Sequence, residues 1–153
     1  MKVRQGLIEF AVAGLLVLSS PLQAETARQA ILTHVQGNVE VRLAGAAWQA
    51  AQAGTSLQEK DEVRTGLDGL SEILLDEGRT GKVDLKENSH FRVRSLGIDP
   101  ASGKKMTVLD FALGKALIRA EKVEEGSTFE VRTPTSTIGV KEALFEVVVE
   151  EER

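Results

Sequence analysis

The chain has 153 residues with 23 acidic against 19 basic side chains, a net charge of −4, and the two signs are interspersed, which argues for solubility and against a general affinity for nucleic acid or anionic lipid. No cysteine is present, so disulfides, a lipid-modified cysteine and a thiolate metal site are excluded and the core must be held by burial alone. One Trp, five Phe and no Tyr leave little aromatic surface for stacking sugars or bases.

The first segment has the three parts of a secretory signal: Lys2 and Arg4, an apolar run from Phe10 to Leu18, then Ser19, Ser20, Pro21 and Ala24. Cleavage after Ala24 is expected, which makes 1–24 a signal peptide and 25–153 one domain. A spanning helix needs about 20 predominantly apolar residues. This run is shorter, opens beside Glu9 and ends at Pro21, so no stable membrane span is expected after cleavage; an uncleaved anchor is the competing reading.

From Ala30 onward short β-branched runs are cut by Gly, Asn, Asp and Ser at fairly even spacing, the pattern of an all-β domain, either a sandwich or a β-helix-like stack of short strands. Ile31, Thr33 and Val35 alternate, Gly37-Asn38 supplies a tight turn, and Val39, Val41 and Leu43 alternate again, which reads as a hairpin. Strands are expected at Leu70 to Leu75, Lys82 to Leu85, and His90 to Leu96. Gly97 to Lys104 reads as a long polar loop, and further strands follow at Met106 to Leu113, Lys115 to Ala120 and Ser127 to Thr133. No segment after the signal keeps a 3.6-residue period for three turns; Ser56 to Val63 and Thr137 to Ala143 could each hold one turn. The expected core is Ile73, Leu75, Val83, Phe91, Phe129, Val131, Phe145 and Val147.

Catalytic patterns are thin. The two histidines, His34 and His90, both fall inside strand patterns, and neighbours on a strand point to opposite faces, so Ser89 and His90 cannot make a nucleophile and base pair locally. The acids at Asp61-Glu62 and Glu124-Glu125 are sequence neighbours rather than opposed pairs, and Asp76-Glu77-Gly78 lacks the alternating oxygen ligands of a calcium loop. No enzyme activity, cofactor or metal is expected. Arg92 and Arg94 share one strand face with Lys104 following, a possible contact for an anion or an acidic partner, although strand-face arginines are most often the polar side of an amphipathic strand.

Three stretches resemble FecR-type periplasmic domains. They are Gly37-Asn-Val39-Glu-Val41 with Trp48; Leu57-Gln-Glu-Lys-Asp61-Glu-Val63-Arg-Thr65-Gly66 with Ser71 to Gly78; and Phe111 to Ile118, Phe129 to Pro134, Ile138-Gly139-Val140 and Phe145-Glu-Val147. Only Met1 to Glu9 precede the apolar run, so the resemblance implies a divergent or shortened member without the cytoplasmic regulator domain. After Thr133-Pro134 the family typically reads Val-Arg-Gly-Thr-x-Phe, whereas Val140 here is followed by Lys141-Glu142-Ala143-Leu144-Phe145. Lys141 to Leu144 are good helix formers, and a short helical turn over 140–144 is expected, then a final strand Phe145 to Val149 buried on both faces.

Resemblance and the absence of catalytic groupings together imply an exported, periplasmic or secreted binding and scaffolding module whose strand edges or loops meet another envelope protein. The competing function is a sensor or carrier of a small anionic ligand such as an iron chelate, held near Arg92, Arg94 and Lys104. Export makes a direct prediction: N-terminal sequencing of the mature protein from its native host begins at Glu25, and a product that starts at Met1 and sediments with membrane would establish the anchor instead.

Overall fold

The computed structural model describes residues 27–151; the expected signal peptide lies outside the described residues. The strands are β1 (Ala30–Gln36), β2 (Val39–Arg42), β3 (Gln49–Ala50), β4 (Ser56–Leu57), β5 (Glu62–Thr65), β6 (Leu70–Leu75), β7 (Gly81–Leu85), β8 (His90–Ile98), β9 (Lys105–Ala120), β10 (Thr128–Arg132), β11 (Thr137–Val140) and β12 (Ala143–Val149), with a 3-10 turn at Asp76–Gly78. All join one curled sheet. The chain is all-β, as its alternation dictates.

The organising element is a long bent hairpin. β7 and β8 run end to end along the same edge of β9, from Gly81 opposite Ala120 to Ile98 opposite Lys105. Sequence patterning divides β9 in two at Gly114, but the strand is continuous. Gly114 has φ +96° and serves as the bend: a Cβ there would lie 2.3 Å from Ser89 Oγ and 2.4 Å from the Asn88 carbonyl. The hydroxyl of Ser89 donates to the Lys115 carbonyl and accepts from the Lys115 amide, locking the two arms where they turn together.

Past the bend the hairpin's two halves seed two layers. The upper layer runs β4-β1-β6-β7-β9-β12 and the lower layer β3-β2-β5-β8-β9-β10-β11, with β9 shared. Lys105 and Glu121, from opposite ends of β9, line one small cavity of ≈ 60 Å³, so the strand curls back on itself. That curl explains the parallel pairing of β10 with β9. Parallel neighbours ordinarily need a connection of about a dozen residues or more, yet here residues 121–127 suffice because the ends of β9 are already close.

Both layers send alternate residues into a single core. Leu32, Ile73, Leu75, Val83, Leu85 and Ile118 come from the upper layer, and Val41, Val63, Phe91, Phe111, Phe129 and Val131 from the lower. The expected core residues are buried except Phe145, which is half-buried at the margin. In β1 Ala30 and Leu32 face inward, and a bulge between Leu32 and His34 brings Val35 back to the core side. Two local expectations are corrected. The helical turn expected over 140–144 does not form: β11 ends at Val140, Lys141 and Glu142 bend, and β12 begins at Ala143. There the chain crosses from the lower layer to the upper, the Lys141 carbonyl is taken by the Val123 amide at 2.7 Å, and ladder pairing with β9 overrides helix propensity. Nor is β12 buried on both faces, since Leu144 and Val148 are 58% and 54% exposed.

A buried ion pair ties the first described residues to both layers. Arg28 donates to Asp76 Oδ2 at 2.8 and 3.0 Å, to the Gly97 and Met106 carbonyls at 2.9 and 3.1 Å, and to Thr107 Oγ1 at 2.8 Å. Asp76 has φ +50°, an uncommon conformation for a residue with a side chain. Burial by itself raises the Asp76 carboxyl, but hydrogen bonds from Arg28 and Thr80 outweigh it and hold the pKa below the ordinary aspartate value.

Because Gly114 combines positive φ with contact against backbone on the facing arm, Gly114→Ala should cost more than about 2 kcal/mol. A lowered urea midpoint at unchanged m-value is the expected result, and a midpoint equal to wild type would show that the bend tolerates a side chain.

Candidate functional site

Two features stand out on the surface, a charged face and an open edge. With Val41, Val63, Phe91 and Val93 turned inward, strand alternation sends Arg42, Glu62, Arg64, His90, Arg92 and Arg94 outward on the lower layer. Register aligns them into a row that crosses the sheet: Arg42 opposite Glu62, Glu62 opposite Arg92, Arg92 opposite Asp110, and Asp110 opposite Arg132. Charges of opposite sign alternate along it, the cross-strand arrangement that stabilises a sheet.

Trp48 lies on this face. The Arg64 guanidinium stands 4.2 Å and that of Arg42 5.1 Å from its ring, and the His90 ring meets it edge-on at 5.7 Å. Cation–π contact of this kind contributes about 0.5–1 kcal/mol at exposed sites. The segment carrying Trp48 is pinned from below by Asp61, whose carboxylate accepts from the Ala44 and Gln58 amides at 2.8 Å each. Glu62 accepts from Arg42 and lies 3.0 Å from His90 Nε2. Burial raises the Glu62 carboxyl, and the bonds to Arg42 and His90 more than compensate, so its pKa falls below the usual glutamate value.

Of the sequence-expected contacts, Arg94 donates to Asp110 at 2.9 Å, and Arg92 is exposed, between Glu62 and Asp110 in register. Lys104 is elsewhere. It follows the far end of β8 and approaches Gly126, about 20 Å along the strand from Arg92. The two histidines stand apart, His34 in β1 of the upper layer and His90 in β8 of the lower, and among the described residues no three metal-ligating side chains converge.

The open edge belongs to β12. Lys86 donates its amide to the Lys115 carbonyl while the Lys115 amide turns to Ser89, so the odd-numbered backbone groups of this half of β9 face β7. Those of Ala116 and Ile118 face β12 and meet Val147 and Phe145. The backbone groups of Leu144, Glu146 and Val148 therefore point away from the sheet, and β12 has no second partner strand among the described residues. Other edges are blunted: β3 and β4 are two residues each, and β11 carries Gly139 and follows Pro134. β12 has neither Pro nor Lys nor Gly along its length. Sequence alternation located this strand but missed the edge, which depends on a register it cannot supply.

Trp48 is the one tryptophan in the chain, so its fluorescence reports on the charged face. A carboxylate with a depressed folded pKa keeps its bonds above the unfolded value of about 4.3 and loses them as pH falls through the folded value. Trp48 emission should accordingly hold steady from neutral pH down through the ordinary glutamate range and change only below it. In Glu62→Gln that acid step should be absent; an unchanged step would place its origin elsewhere.

The sequence model of the family described as FecR protein matches residues 61–153, from the start of β5 through β12, so the hairpin Gly37 to Val41 and Trp48 fall before the matched span. No curated protein and no solved structure matches the chain. Among the described residues no helix is long and apolar enough to cross a membrane. The match covers more than half of the chain, with the bent hairpin and the strands β10 to β12 that follow it, and on that ground the chain belongs to the FecR family, whose members are envelope-associated regulatory and sensing domains.

Proposed function

We propose that this chain is an exported, non-catalytic binding module of the bacterial cell envelope, periplasmic or secreted, that holds another envelope protein by taking an extended segment of it along β12. The observation that carries this reading is the free edge itself: outward backbone groups at Leu144, Glu146 and Val148 beside two large exposed apolar side chains. An unprotected apolar edge is a template for strand addition. Family membership supplies the setting, since FecR family proteins act in envelope signalling.

One observation favours a second reading, a small anionic ligand such as an iron chelate. Arg94 and Arg132 line the same hollow of ≈ 290 Å³. Asp110 lies in that hollow and already engages Arg94, which weakens it as an anion site.

Photocrosslinking in the native host separates the two readings. A benzophenone side chain at position 148 should give one discrete adduct with an envelope protein, while the same group at position 92 should give none. Adducts from 92 alone, or a melting temperature raised by ferric citrate and restored by Arg94→Ala, would favour the charged face.

A further inference from the structure

The chemistry around the β12 edge specifies which kind of segment fits it, an inference that rests on the binding role proposed above. Past β9 the two layers are unequal. The upper layer adds β12 alone, whereas the lower adds β10 and then β11. β11 thus overhangs an empty strand position next to β12. Its inward residues show the vacancy: Ile138 and Val140 pair in register with the fully buried Val131 and Phe129, yet Ile138 is 36% exposed and Val140 half-buried. A strand added to β12 would lie across from β11, and its inward side chains would cover Ile138, Val140 and the half-buried Phe145. Those side chains must be apolar.

Charge constrains the remaining positions. Cavities of ≈ 680 and ≈ 800 Å³ flank the two ends of this notch. Every charged group lining the first is a carboxylate, Glu146, Glu150 and Glu151. The second holds three carboxylates against two lysines. Glu146 has only a long pairing with Lys115, 3.6 Å, and Glu150 and Glu151 have no ion pair among the described residues. We infer that the occupant is a single extended segment of an envelope protein in which apolar residues alternate with lysine or arginine.

A second copy of this chain is a poorer fit. Two β12 edges pair antiparallel only about an axis perpendicular to the sheet, which keeps both lower layers on the same side. The overhanging β11 strands would then compete for one position, and pairing centred on Glu146 would set the two Glu146 side chains face to face.

The test titrates the folded chain with two short synthetic peptides of equal length, one alternating Val with Lys and the other Val with Glu, reading affinity and amide exchange at Leu144, Glu146 and Val148. The Val–Lys peptide should slow exchange at these amides and bind at least about tenfold more tightly, an advantage that shrinks with added salt. Reversing Glu150 and Glu151 to Lys should erase the preference without altering the melting curve, because both side chains are exposed. Val148→Pro removes one outward donor and no bond to β9, and should weaken the Val–Lys peptide by about tenfold. Equal or tighter binding of the Val–Glu peptide with β12 protected would overturn the charge inference and leave the edge reading intact. Protection by neither peptide would overturn both, and protection of β12 by raised protein concentration alone would assign the edge to a second copy.

Discussion

At Gly114 the backbone turns at φ +96° with the facing arm so close that a single added carbon would overlap Ser89 and Asn88, and the rest of the fold follows from that bend. β9 has four partner strands, β8 and β10 before it and β7 and β12 after it. Each layer therefore grows outward from one half of the same strand. The bend also brings the ends of β9 near enough for a short loop to begin β10 in parallel. A straight β9 would leave Phe129 and Val131 outside the single core they belong to, since its members come from both layers.

Electrostatics then fix relations that burial leaves free. Hydrophobic burial is non-directional, but the Arg28 guanidinium reaches Asp76 in the upper layer and the carbonyls of Gly97 and Met106 in the lower. Removing either member of such a buried pair typically costs about 3–5 kcal/mol, because the other charge is left without a partner. On the outer face the alternating row from Arg42 to Arg132 does something different. Exposed pairs contribute little individually, yet their order opposes a two-residue slip of β2 against β5, which would set Arg42 opposite Arg64 in one direction and Glu40 opposite Glu62 in the other.

The two surface features differ as binding sites for the same physical reasons. The arginine row is rich in cations, but carboxylates in register already partner them, and Trp48 already stacks on Arg64. The β12 flank has the opposite character: among the described residues its outward backbone groups have no partner strand, Leu144 and Val148 are exposed, and of its carboxylates only Glu146 has an ion pair, a long one to Lys115. A surface satisfied internally has little to gain from a ligand, whereas an edge left unsatisfied gains hydrogen bonds and burial together.

The sequence by itself determined the all-β class, most of the strands, seven buried core positions and the family, because each follows from local alternation, turn residues and motif order. Phe91, Phe129 and Val131 announce their burial through period-2 spacing alone. It misjudged Lys141 to Leu144, where strong helix formers are held extended by pairing with β9 and by the crossing between layers. It read Gly114 as a strand break when a glycine of positive φ was needed to bend a continuous strand. It grouped Lys104 with Arg92 and Arg94 because they are near in sequence, although a strand carries them apart. Tertiary structure alone decided the charge row, the Arg28 clamp and the open edge of β12, since each depends on which residues of distant strands stand opposite one another, and register between distant strands is not encoded in the spacing of any one of them.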